Sequence, residues 1–138
     1  MNALKYNSNL AGEFYVLSML YRLGADATLT LGNKKSVDIA VIRAAGDAVT
    51  VDVKALAGKT CWPVDNFRAG RERHFLALVC FLGKIDDVAT APEIYIVPSA
   101  DVAGLTYTAP GGRETIELRI IRRTGEKYRG AEAWKQLL

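Results

Sequence analysis

Histidine and cysteine are almost missing from this chain: its 138 residues hold one histidine, His74, and two cysteines, Cys61 and Cys80. That scarcity removes whole classes of chemistry. A structural zinc site takes about four ligands, mostly Cys and His, and these three residues form no C-x-x-C or mixed cluster. A disulfide framework is excluded on the same count, and both thiols, set among apolar neighbours, read as reduced core filler. Ser8 and Ser18 have no histidine nearby to activate them, which disfavours a serine hydrolase. Gly32-Asn33-Lys34-Lys35-Ser36 lacks the glycine spacing of a phosphate-binding loop. Long hydrophobic runs are also absent. The stretch from Phe14 to Leu23 is broken by Ser18 and Arg22 and falls short of the roughly 20 residues a membrane helix requires. Met1 to Gly12 carries no apolar signal-peptide core, so a cytoplasmic protein is expected.

What is present suits one domain over residues 1–138: half of the residues are hydrophobic, and no repeat or low-complexity segment interrupts them. The net charge of +3 is unevenly spread. Residues 54–74 hold Lys54, Lys59, Arg68, Arg71 and Arg73 against Asp65 and Glu72. Residues 119–135 hold Arg119, Arg122, Arg123, Lys127, Arg129 and Lys135 against Glu126 and Glu132. Two such segments form either a phosphate-facing surface or two ordinary solvated faces.

The pattern predicts a helix over 8–23, capped by Asn7 or Ser8 and ended by Gly24, then a strand over 25–31 closed by a Gly32-Asn33 turn. A hairpin follows, with strands over 37–42 and 49–54 and a turn through 43–47. Residues 64–74 are polar and ambiguous. Strands are expected over 75–82, 94–97 and 116–121, with a short helix from Pro98 to Val102 and a closing helix over 130–138. The sum is an α/β chain.

The hairpin carries the chemistry. Val37, Ile39 and Val41 share one strand face with Val49, Val51 and Val53 of the next. Their apolar faces coincide only in a register whose paired numbers sum to an even value, 90 or 92. Either choice sets Asp38, Asp52 and Lys54 together at one end. Two carboxylates so close repel unless a cation such as Mg2+ lies between them; the other reading is a solvent-facing edge where Lys54 pairs with one acid. Glu13 adds a third acid on the stripe of Leu10, Leu17 and Leu20, where it is either a buried acid with a task or a first-turn residue reaching for solvent. Gly12 beside it permits close approach.

Together Gly12-Glu13, Val37-Asp38 and Asp52-Val53-Lys54 resemble the PD-(D/E)XK nuclease superfamily over roughly residues 8–82, with Val37 where the family often has proline and Asp52 where Glu is commoner. The resemblance implies a restriction-endonuclease-like α-β-β-β-α-β core, similar to small Holliday-junction-resolvase-type nucleases, with a mixed central sheet flanked by helices. It further implies a Mg2+-dependent endonuclease acting on DNA more than RNA, with Mn2+ able to substitute. In that reading Asp38, Asp52 and the Val53 carbonyl hold the ion, Lys54 orients water or offsets charge, and Glu13 binds a second ion or a metal-bound water. The rival is a nuclease-fold module that binds nucleic acid or a protein without cutting. In either case a homodimer or larger assembly is expected, because so short a chain has little surface for target recognition. Lys34, Lys35, Lys59, Arg68, Arg71 and Arg73 are candidate nucleic-acid contacts. Tyr6, Tyr15 and Trp62 stack on bases or pack in the core. His74 reads as a surface or helix-end residue in preference to a proton shuttle.

Overall fold

The predicted first helix forms and reaches further towards the N-terminus: α1 spans Asn2–Arg22. A computed structural model describes residues 2–30 and 38–138, the side chains of 2–6 excepted. The buried face of α1 runs through Ser8, Gly12, Val16, Leu17 and Leu20, a helical three-to-four-residue spacing. Glu13 therefore stands at the border of that face, half-buried, instead of at its centre.

Strands β1 (Asp26–Leu29), β2 (Ile39–Ile42) and β3 (Ala48–Leu56) follow as an antiparallel meander. Ile39 pairs with Val51 and Val41 with Val49, the register of sum 90, and all four side chains are fully buried. The turn closes because Arg43 N–H donates to the Asp47 carbonyl at 2.8 Å and Gly46 takes a φ of +97°, which L side chains avoid. The Gly32-Asn33 turn and Val37 lie outside the described residues.

After β4 (Cys61–Pro63), strand β5 (His74–Cys80) returns parallel to β3, and β6 (Glu93–Pro98) pairs antiparallel with β5. The sheet order β1-β2-β3-β5-β6 makes a mixed sheet with β3 inside it. The helix expected between the third and fourth sheet strands of an α-β-β-β-α-β core is not there. Residues 57–73 hold β4 and turns, since Gly58, Pro63 and Gly70 punctuate the segment and Val64 alone of residues 64–73 is buried.

The rest of the chain is α2 (Ser99–Leu105), β7 (Tyr107–Thr108), β8 (Glu114–Glu117), α3 (Leu118–Thr124), a single 3-10 turn (Glu126–Tyr128) and α4 (Gly130–Lys135). The strand expected over 116–121 stops at Glu117. From there the buried residues Leu118 and Ile121 follow helical spacing, which overrides the alternation of Ile116 and Leu118. Strands β4, β8 and β7 form a second, three-stranded sheet.

These elements cover both faces of the large sheet. On one, Val16, Leu17 and Leu20 of α1 and Trp134 of α4 pack on Val49, Val51 and Val53. On the other, Trp62, Ile116, Leu118 and Ile121 pack on Leu76, Leu78, Tyr95 and Val97. All seven β5 residues are buried, as expected of a strand covered on both faces. Among the described residues no helix is long and apolar enough to cross a membrane.

Two contacts fix this arrangement and are open to test. A Cβ on Gly12 would lie 2.8 Å from Ala55 Cβ, so the helix rides directly on β3. Gly12→Leu is expected to lower stability by about 1–3 kcal/mol in thermal unfolding, because the overpacked seam must open. Glu93 accepts hydrogen bonds from Arg122 at 2.8 and 2.9 Å and from the Tyr95 hydroxyl at 2.6 Å, tying α3 to the sheet. The Arg122 guanidinium holds the Glu93 carboxyl down to about 2 against 4.5 when free. This stability is present above pH 4.5 and is lost as pH falls towards 2. Glu93→Gln should cost about 1–2 kcal/mol at pH 7, after allowing for screening of the half-exposed Arg122, and much less at pH 2.

Candidate active site

Strand β3 outlasts its neighbour. Its ladder with β2 ends at Ile39–Val51, while it continues beside β5 to Leu56. Asp38 occupies the fork so formed: its N–H donates to the Val51 carbonyl at 3.0 Å, and its own carbonyl accepts from Thr30 N–H at 2.9 Å. Its Oδ2 accepts from Val53 N–H at 2.7 Å, a donor that faces the gap where β2 has ended. The backbone thus fixes the carboxyl, satisfying an amide that would otherwise lack a partner. The Val53 carbonyl lies on the same edge of β3 as its N–H.

One more step of the register sets Asp52 across from Asp38. Asp52 is 7% exposed on an interior strand, so the hairpin end is not a solvent-facing edge. Lys54 follows two residues on, half-buried, and among the described residues it forms no ion pair. The expected alternative, a Lys54–aspartate surface pair, is therefore not formed.

Electrostatics join Glu13 to the group. Burial, and then the neighbouring Asp38 charge, push its carboxyl up to about 7. Burial also raises the Asp38 carboxyl; the Val53 N–H opposes this, Asp52 adds to it, and Lys54 and His74 offset part of it. Charge interactions therefore link Glu13 of α1 to Asp38, just ahead of β2, and Asp38 in turn to Asp52 and Lys54 of β3. Burial and neighbouring carboxylate charge thus raise both the Glu13 and the Asp38 carboxyls, with Lys54 and His74 offsetting part of the rise at Asp38.

His74 belongs to this group, against the expectation of a surface residue. It is 2% exposed at the start of β5, where the parallel register pairs it with Thr50. Its Nδ1 lies 2.5 Å from Thr50 Oγ1, and its ring stacks on Phe67 with centroids 5.3 Å apart. Its Nε2 is buried without a hydrogen bond, 3.5 Å from Asp52 Oδ2. The sequence offered only a lone histidine entering an apolar run.

A cavity of about 520 Å³ opens beside Lys54, walled by Ser8 and Asn9 of α1, Pro63 of β4, and Asp65 and Asn66. Lys59 is exposed one residue beyond its lining residue Gly58. Arg73 stands at the far end of the parallel pair, its carbonyl accepting from Thr50 N–H at 3.0 Å. Arg68 and Arg71 lie close to it in the fold, where Ser99 Oγ donates to the Arg68 carbonyl and accepts from Arg71 N–H. Four side chains of the C-terminal basic segment are held in ion pairs: Arg119 with Glu117, Arg122 and Arg129 with Glu93, and Lys135 with Glu132. Trp62 is fully buried and donates to the Val79 carbonyl at 3.0 Å, so it packs in the core and stacks on no base. Lys34, Lys35 and the Tyr6 side chain lie outside the described residues.

Among the described residues no three His, Cys, Asp or Glu side chains form a group able to hold a metal ion by themselves. Asp38, just ahead of β2, and Asp52 of β3 offer two carboxylates, and the Val53 backbone lies against Asp38. Comparison with protein-family models, curated proteins and solved structures finds no match to this chain.

Proposed function

We propose that this chain is a Mg2+-dependent nuclease of the PD-(D/E)XK type, built on a restriction-endonuclease-like core that lacks the helix between its third and fourth strands, and that it hydrolyses phosphodiester bonds of DNA as a homodimer or within a larger assembly. The observation that carries the reading is the convergence of Asp38, Asp52 and Lys54 where β2 and β3 part, with Glu13 at their border. Mg2+ is commonly held by one or two carboxylates completed by water and substrate phosphate, not by an all-protein cage. Asp38, Asp52 and the Val53 carbonyl are a donor set of that kind, with Glu13 placed for a second ion or a bound water. When bound, the ion supplies a water of lowered pKa and neutralises charge on the phosphate. The protein's own groups do the rest. Val53 N–H holds Asp38 in one orientation, and Lys54 orients the attacking water and offsets charge on the phosphate oxygens. The cavity beside Lys54 receives the nucleoside next to the scissile bond, with Lys59 near its rim for the backbone.

The test is cleavage of plasmid and branched DNA, and of RNA for comparison, with Mg2+ or Mn2+, alongside calorimetric titration of Mn2+. Metal-dependent cutting of DNA, and Mn2+ binding that disappears in Asp38→Ala, are expected. A wild-type chain that binds no Mn2+ and cuts nothing would overturn the reading and favour a non-catalytic binding module.

A further inference from the structure

A buried imidazole nitrogen without a partner is costly and calls for an explanation. His74 Nε2 is such an atom, on a side chain that is 1% exposed. The ring cannot turn away to satisfy it. Thr50 Oγ1 holds Nδ1 at 2.5 Å, and Phe67 lies flat against the ring at an interplanar angle of 18°. Nε2 is therefore kept pointing at Asp52 Oδ2, at 3.5 Å, just beyond hydrogen-bonding distance.

The network decides the tautomer. If Nδ1 carried the proton, the Nε2 lone pair would face carboxylate lone pairs across that gap. With the proton on Nε2, the Thr50 hydroxyl donates to Nδ1, and an N–H faces the acid. Asp52 is itself 7% exposed, and among the described residues its carboxyl accepts no hydrogen bond, so His74 Nε2 at 3.5 Å is the approach it has.

We infer that His74 is a positioning residue for Asp52. Thr50 fixes the ring, the ring sets an N–H towards Asp52 Oδ2, and Oδ1 is left for the ion. This rests on the function proposed above. Groups that orient a ligating carboxylate commonly change metal affinity by about 10–100-fold when removed.

Two substitutions test it by Mn2+ titration, with thermal unfolding recorded alongside. His74→Phe keeps a flat ring on Phe67 but donates nothing; its Mn2+ affinity should fall about tenfold or more. His74→Gln places an amide N–H near the Nε2 position and should stay within about threefold of wild type. Thr50→Val removes only the anchoring hydroxyl and keeps the test open if the phenylalanine variant does not fold; a loss of about threefold to tenfold is expected. Wild-type Mn2+ affinity in folded His74→Phe, or in Thr50→Val where the phenylalanine variant does not fold, would overturn the assignment and leave the nuclease reading intact. Absence of Mn2+ binding by the wild-type chain would remove both.

Discussion

Lys54→Met is expected to slow Mg2+-dependent DNA cleavage by about 100–1000-fold while Mn2+ affinity stays level or rises. Methionine keeps much of the lysine stem's volume, and among the described residues the ammonium forms no ion pair whose loss would unfold the site. What disappears is a positive charge beside Asp38, where it now offsets part of the rise in the Asp38 carboxyl. A fixed charge that meets the developing negative charge on phosphate is worth about 2.7–4 kcal/mol, which sets the size of the rate loss. The same charge repels a bound cation, which gives metal affinity its opposite sign. Asp52→Asn is the complementary change. It removes an oxygen donor and should lose both metal affinity and cleavage, while relieving the repulsion that raises Asp38. Equal cleavage by Lys54→Met and wild type would remove Lys54 from the chemistry.

The parts of this site that were legible in the sequence rest on local periodicity. Alternation placed Ile39, Val41, Val49 and Val51 in the core, and Asp38, Asp52 and Lys54 stood out because they broke it. Evenness of the register followed from those faces; the choice of 90 over 92 did not, because either buries the same side chains. Other features come from pairings between distant segments. His74 meets Thr50 and Asp52 only through the parallel register of β3 and β5, which nothing in 64–74 announces. Glu93 captures Arg122 across 29 positions, so a basic segment that reads as free to meet phosphate is partly neutralised. The strands β4 and β7, of three and two residues, are too short to show a period, and the turn from strand to helix at Leu118 lies within one apolar run. The missing helix between β3 and β5 belongs to this class as well. The second sheet covers the face opposite α1 with residues drawn from 61–63 and 107–117.

Glu13→Gln should make the protein more stable and the proposed DNA cleavage slower. Glu13 titrates near 7 in the folded chain against 4.5 when free, so the native state holds its proton more tightly. The stability this contributes is complete below pH 4.5 and is lost as pH rises through 7, where the buried carboxyl must ionise beside Asp38. An amide carries no such burden. At pH 8 and without divalent ions the variant is expected to unfold about 3–6 °C above wild type, a gain on the order of 1–2 kcal/mol once partial exposure is allowed for. At pH 4.5 the two should unfold together, since a neutral carboxyl and an amide differ little. Adding Mn2+ at pH 8 should close the gap from the wild-type side, because a cation compensates the charge that the fold alone does not, and cleavage by the variant should be about tenfold slower. Identical unfolding at pH 8 would mean that Glu13 ionises freely in solvent, and a freely solvated Glu13 could not share a cation with Asp38. A carboxyl that weakens the fold at neutral pH and is indifferent to it in acid has no structural reason to be there; the ion it would meet supplies one.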